Sequence, residues 1–131
     1  IHWEGLHDGT KSMVLTCYDP DAPTGSGFWH WVMANIPSDA ASIPEGSRNL
    51  PSDTLETRTG FGAPGYGGPY PPKGDHLHRY IFTLFCLSVG VPPVEADTSA
   101  AVVGFLANMD VTEKTTLMIF PKEVAALRLL S

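Results

Sequence analysis

Two aspartates, two histidines and a tyrosine are the side chains with the most scope for chemistry. Asp19 and Asp21 lie in the segment DPDAP, His30 lies between two tryptophans, and His78 and Tyr80 lie in the segment HRY. Carboxylates and imidazoles together can hold an anion through oriented hydrogen bonds, or they can transfer protons. Each residue also has a structural interpretation, since Asp before Pro favours turns and a single His is often a satisfied core residue.

Four apolar runs rich in β-forming residues predict the strands that position these side chains. Gly- and Pro-rich segments separate the first three runs. Asp19, His30 and His78 then lie near strand ends beside such loops, which is a usual way to build a pocket. The predicted strands are Ser12–Asp19, Trp29–Ile36, His78–Leu87 and Lys114–Phe120.

Side-chain alternation along these strands predicts which groups face the same way. Asp19 and Asp21 share a face if the first strand stays extended as far as Asp21. By the same rule, His78 shares a face with Tyr80, Phe82 and Leu84. His30 shares a face with three apolar residues of its own strand, which are Val32, Ala34 and Ile36.

The rest of the chain favours turns and one or two short helices. The 131 residues include 13 Gly and 12 Pro, which is above average usage. One helix is predicted by apolar residues at helical spacing after a polar cap, and Glu123–Leu130 predicts a terminal helix. The apolar residues are Val102, Phe105, Leu106 and Met109, and the candidate caps are Asp97, Thr98 and Ser99. We therefore expect one mostly β domain over residues 1–131, an antiparallel β-sandwich.

Composition and charge exclude several kinds of partner. The net charge is −6, and the Lys and Arg residues are scattered singly, so neither nucleic acid nor an anionic membrane surface is expected to bind. No stretch resembles a signal peptide or a membrane span, which favours a cytoplasmic location. Cys17 and Cys86 lie inside apolar runs, so we expect buried free thiols rather than a disulfide. No cofactor is expected.

Three segments, DPDAP, WHW and PPKGDHLHRY, resemble the phosphatidylethanolamine-binding protein family in order and spacing, and the resemblance extends over most of the chain. The short loop DAPTGSGFWHW is similar to the bacterial and archaeal branch, the Raf kinase inhibitor-like proteins. The resemblance implies a central antiparallel sheet packed against a smaller one, with a small pocket for phosphate, acetate or a phospholipid headgroup. The residues that it places in or around the pocket are Asp19, Asp21, Pro23, His30, Pro71, Pro72, His78 and Tyr80.

The sequence departs from animal members of that family at three places. Tyr70 stands directly before Pro71, where those members carry a small glycine. The final segment, PKEVAALRLLS, contains no aromatic residue to close the pocket. The chain also begins where family members already have an N-terminal segment, so either the sheet lacks a strand or the sequence is a fragment.

The segment DPDAP must leave a strand and redirect the chain within five residues that include two prolines. A cis Ala22–Pro23 peptide bond would produce a sharp reversal, because X–Pro bonds adopt the cis form at a cost of only about 0.5–1 kcal/mol. The family resemblance also points to this geometry. We therefore predict a cis bond at Ala22–Pro23.

The predicted function is binding of a small anion or phospholipid headgroup, without catalysis. The aspartates would accept hydrogen bonds from His78 or backbone N–H groups, so that His30, His78 and the Tyr80 hydroxyl face the anion. A kinase or protease partner and a homodimer are further expectations. Two alternatives stay open: a hydrolase that uses the Asp and His residues for acid–base catalysis, and a metal site formed by His76, His78 and Asp19 or Asp21.

Overall fold

The computed structural model describes residues 3–6, 8–43, 50–51, 53–65, 78–90, 94–109 and 111–119. These residues form a five-stranded antiparallel sheet of order β3-β2-β1-β4-β5 and one helix. The elements are β1 Ser12–Asp19, β2 Phe28–Pro37, β3 Leu55–Glu56, β4 Tyr80–Leu87, α1 Ala100–Met109 and β5 Val111–Ile119.

The mostly β, antiparallel class with a helix is confirmed, and all four predicted core strands are present. The fourth strand begins three residues earlier than predicted, at Val111, and His78 and Arg79 precede β4 rather than belonging to it. The described residues form one sheet, with α1 against one face, so a second sheet of the sandwich is not among them. The predicted helix Glu123–Leu130 lies outside the described residues.

Both faces of the central strand β1 are buried, which explains why its sequence is apolar without alternation. On one face, Met13, Leu15 and Cys17 pack with β2, β4 and the loop residue Ile43. On the other face, Val14 packs with the helix side of the core. Burial on both faces holds β1 between β2 and β4, and this places its C-terminal residue, Asp19, in the interior.

The helix α1 packs on the sheet through its small residues. Ser99 begins the helix, since its carbonyl accepts a hydrogen bond from Val103 N at 3.1 Å and its Oγ accepts one from Val102 N at 3.3 Å. Its buried residues are Ala100, Val103, Gly104 and Ala107. The larger residues that predicted the helix do not form its buried face, because Phe105 and Met109 are 68% and 64% exposed.

The two cysteines are free and buried, as predicted. They lie in neighbouring strands, but Cys17 pairs with Phe82 whereas Cys86 pairs with Met13. This register separates them by about 13 Å along the strands, well beyond the ~7 Å Cα separation that a disulfide tolerates. Separately, no helix among the described residues is long and apolar enough to cross a membrane.

Candidate functional site

A β-bulge in β2 determines where His30 points. Cys17 of β1 pairs with Trp31, and the next residue, Tyr18, pairs with Trp29, so His30 is the extra residue. A bulge of this kind re-aims a side chain, and the His30 ring lies 5.2 Å from the ring of Tyr80. The alternation prediction for His30 is therefore wrong for Val32 and Ala34, which belong to the helix side of the core, whereas Ile36 lies on the same side as Tyr80.

Asp19 and His78 form a buried pair at the end of β1. The Asp19 Oδ2 lies 2.7 Å from His78 Nδ1, with side chains 2% and 1% exposed, and 3.9 Å from His30 Nε2. The other oxygen, Oδ1, accepts a hydrogen bond from Asp21 N at 2.8 Å. An ionised carboxylate can only accept, so His78 Nδ1 carries the hydrogen and the ring orientation is set. One buried carboxylate thus lies between two imidazoles.

Tyr80, at the start of β4, completes this group. Its side chain is fully buried, and its hydroxyl has no hydrogen-bond partner among the described residues. Burial, followed by the nearby Asp19 and Cys17 groups, raises the pKa of Tyr80 well above its ordinary value. The hydroxyl therefore stays protonated and can donate a hydrogen bond. We call Asp19, His30, His78 and Tyr80 the Asp19 cluster.

Asp21 is paired with Arg79, the residue between His78 and Tyr80. Strand β1 ends at Asp19, and Asp21 follows it in a turn. Its Oδ2 accepts from Arg79 N at 2.7 Å and Nε at 2.9 Å, and its Oδ1 accepts from Nη2 at 2.8 Å. The condition for the two aspartates to share a face, a strand extended as far as Asp21, is therefore not met. Sequence reasoning also missed Arg79. Because this residue lies between His78 and Tyr80, alternation places its side chain on the opposite side of the chain from theirs.

Each of the two carboxylates has hydrogen-bond donors of its own. Asp19 accepts hydrogen bonds from His78 and from a backbone N–H group, and Asp21 is paired with the Arg79 guanidinium. The hydrogen bonds that Arg79 donates to Asp21 raise the pKa of Arg79, as does the charge of Asp21. Both carboxylates therefore have hydrogen-bond donors, and Asp21 is in addition paired with a permanent positive charge.

The turn after β1 reverses the chain without a cis bond. No peptide bond among the described residues is cis, so the prediction for Ala22–Pro23 is wrong. Thr24 N donates to Ala22 O at 2.8 Å, which closes a γ-turn around Pro23. Gly25 and Gly27 then adopt φ of 80° and 81°, which favours glycine. The exposed Pro23 supports the loop, and the predicted site residues Pro71 and Pro72 lie outside the described residues.

Two phenylalanines adjoin the cluster and were missed by the sequence reasoning. The ring of Phe28 lies 5.1 Å from that of His30, and the ring of Phe61 lies 5.6 Å from it. Gly60 is required here, because an added Cβ would approach the Phe28 ring to 2.8 Å. The available signal was an aromatic residue between two glycines, Gly60 and Gly62, which does not by itself indicate a ligand contact.

Among the described residues, no group of three or more His, Cys, Asp or Glu is arranged to hold a metal ion. The alternative metal site included His76, which lies outside the described residues.

Comparisons with known proteins show the family to which the chain belongs. The model of the family described as phosphatidylethanolamine-binding protein matches residues 1–120. The Escherichia coli K12 protein YbhB is 50% identical over 109 residues, which cover 80% of this chain and 68% of YbhB. A second Escherichia coli K12 protein, YbcL, is 45% identical over 113 residues, which cover 82% of this chain but only 62% of YbcL.

Solved structures show the same fold. The crystal structure of Escherichia coli YbcL, described as a new member of the mammalian family, matches with a TM-score of 0.84 and 39% identity, over 89% of this chain and 74% of that one. A Chlamydia trachomatis homologue matches with a TM-score of 0.81 at 23% identity, over 93% of this chain and 78% of that one. On the extent of the family match and the identity to its bacterial relatives, the chain belongs to the phosphatidylethanolamine-binding protein family.

Proposed function

We propose that this protein binds a small phosphate-like anion at the Asp19 cluster. The observation that carries the proposal is the hydroxyl of Tyr80, which is buried without a hydrogen-bond partner among the described residues. Leaving a buried hydroxyl unsatisfied costs about 1–3 kcal/mol. A ligand oxygen at this position would accept the hydrogen bond and remove that cost.

The hydrogen-bonding groups around the hydroxyl suit an anion. His78 Nδ1 is engaged by Asp19, and the His30 ring lies beside the same carboxylate. A protonated imidazole has two N–H donors, so a ring that donates to Asp19 through one nitrogen can donate to an anion through the other. Phosphate oxygens accept from such donors, so imidazole and phenol groups together suit this ligand.

A phospholipid headgroup and inorganic phosphate share this chemistry. The family's name refers to phosphatidylethanolamine, whose headgroup carries a phosphate, and by the resemblance Pro71 and Pro72 would line the same pocket. Both sources of phosphate are therefore included in the proposal, and a titration with each distinguishes them.

Binding is favoured over hydrolysis because no activated nucleophile is present among the described residues of the cluster. Cys17 is the nearest thiol, but burial raises its pKa far above the ordinary value, with a further contribution from Asp19. A thiolate is therefore strongly disfavoured. Turnover of phosphate esters by the wild-type protein, lost on Asp19→Asn, would support the hydrolase alternative instead.

Calorimetric titration with inorganic phosphate, with Tyr80→Phe as the variant, tests the proposal. The variant should bind phosphate about tenfold to a hundredfold more weakly, since one hydrogen bond to a charged group contributes about 1.5–3 kcal/mol. Its free energy of unfolding should stay the same or rise, because the hydroxyl has no protein partner to lose. Unchanged phosphate affinity in Tyr80→Phe would contradict the proposal, as would a wild-type protein that binds no phosphate.

Tyr18→Phe is the matched control. The Tyr18 hydroxyl donates to Ser26 O at 2.6 Å, and its ring contacts Trp29 rather than the Asp19 cluster. This variant should keep its phosphate affinity but lose about 0.5–1.5 kcal/mol of stability. The two tyrosine variants therefore separate a ligand contact from a structural hydrogen bond.

Regulation of a kinase or protease partner is proposed on the resemblance alone. If the partner uses the anion site, phosphate should compete with it, and Tyr80→Phe should weaken inhibition of the partner enzyme. The homodimer is a separate expectation, and sedimentation equilibrium measures it directly.

A further inference from the structure

The segment 58–64 forms a tight loop that presents Phe61 beside the Asp19 cluster. Arg58 and Pro64 form a β-bridge, and Thr59 N and Oγ1 both donate to Ala63 O, at 3.1 and 2.9 Å. Within the loop, Phe61 N donates to Thr59 Oγ1 at 3.1 Å. The backbone on both sides of Phe61 is therefore held by hydrogen bonds.

The side chain of Phe61 is about half buried. Its ring lies 4.8 Å from that of Phe28 and 5.6 Å from that of His30, both with edge-to-face geometry. Nevertheless, the residue is 49% exposed. An ordered loop thus places half of an apolar aromatic surface directly next to a polar, buried cluster. A group attached to an anion in the cluster would cover this surface.

We propose that Phe61, supported by Phe28, is the specificity-determining wall of the anion site and selects phosphate monoesters that carry a neutral apolar substituent. This inference rests on the proposed function and deepens it by naming the ligand class. Such a substituent removes apolar ring surface from water and gains edge-to-face contacts with Phe61.

The neighbouring groups favour a neutral substituent over an ammonium group. Phe61 and Phe28 both contact His30, which donates to the anion in the proposal, so an ammonium group over Phe61 would meet a second hydrogen-bond donor. Among the described residues of the site, the carboxylates of Asp19 and Asp21 already accept hydrogen bonds from His78 and Arg79.

Titration of the full chain with inorganic phosphate, phenyl phosphate and phosphoethanolamine tests the inference. Phenyl phosphate should bind about fivefold to tenfold more tightly than phosphate, which corresponds to one favourable aromatic contact. Phosphoethanolamine should show no such gain. In Phe61→Ala, phenyl phosphate and phosphate should bind within about twofold of each other.

Phe105→Ala is the matched control, since Phe105 is also exposed but lies on α1, against the other face of the sheet. It should leave all three affinities unchanged. The inference is overturned if wild-type protein does not prefer phenyl phosphate, if the preference survives in Phe61→Ala, or if phosphoethanolamine binds more tightly. If phosphate does not bind at all, the proposed function fails together with the inference, whereas loss of the preference alone refutes only the inference.

Discussion

Replacing Asp19 with asparagine removes one negative charge from the interior and leaves the shape of the side chain unchanged. The carboxylate accepts from His78 Nδ1 at 2.7 Å and from Asp21 N at 2.8 Å. An asparagine can keep the backbone hydrogen bond through Oδ1, but its Nδ2 then faces His78. The histidine must move its hydrogen to Nε2 for this contact to become a hydrogen bond.

The expected loss of stability follows from the burial of the Asp19–His78 pair. Because Asp19 is only 2% exposed, solvent cannot replace the lost interaction. A hydrogen bond to a charged group contributes about 1.5–3 kcal/mol, and a neutral one about 0.5–1.5 kcal/mol. Asp19→Asn replaces the charged hydrogen bond at His78 with a neutral one, and it weakens the hydrogen bond from Asp21 N. We therefore expect a loss of about 2–3 kcal/mol in the free energy of unfolding at neutral pH.

Asp21→Asn provides the matched comparison, because the substitution is the same but its ion pair is exposed. Arg79 is 45% exposed in this pair, and surface pairs contribute about 0–1 kcal/mol. Both variants are measured by urea unfolding at neutral pH, followed by tryptophan fluorescence, with the midpoints compared at constant m-value. If Asp19→Asn loses no more stability than Asp21→Asn, the buried Asp19–His78 pair does not have the role assigned to it.

Two further predictions concern the core. Burial raises the pKa of both Cys17 and Tyr80. At alkaline pH the unfolded chain therefore ionises both groups, whereas the folded protein keeps them protonated. Their contribution to stability is complete at neutral pH and is lost as the pH rises. Above about pH 8.5 for the thiol and about pH 10 for the phenol, the free energy of unfolding should fall by about 1.4 kcal/mol per pH unit for each group. Urea unfolding at several alkaline pH values measures this slope, Cys17→Ala should reduce it, and an identical slope in that variant would show that the thiol does not contribute. On α1, Val103→Ala should cost about 2 kcal/mol because Val103 is buried against the sheet, whereas Phe105→Ala should change stability by no more than about 0.5 kcal/mol. Equal effects from these two variants in thermal or urea unfolding would mean that the other face of the helix is packed.

Local pattern was sufficient for the strands and for part of the site. The sequence predicts strands β1 and β4 because burial selects β-forming residues along each strand. His78 and Tyr80 share a side of the chain, as alternation predicts, and their rings are stacked 6.4 Å apart. The two-residue strand β3 was missed, since a pattern of that length carries no periodicity.

The sequence by itself determined the β class, the strands, the buried free cysteines and the family to which the motifs point. Only the tertiary structure decided where His30 and Asp21 face. The bulge at His30 exists in the pairing of β2 with β1, and Asp21 turns toward Arg79, which is 58 residues away along the chain. Side-chain alternation is a property of one strand, whereas a bulge or an ion pair depends on a second strand whose register is set by packing. In the same way, the small residues of α1 rather than its large ones face the sheet, because the buried face of a helix depends on the strands against which it packs, and Gly104 lies next to the ring of Trp29.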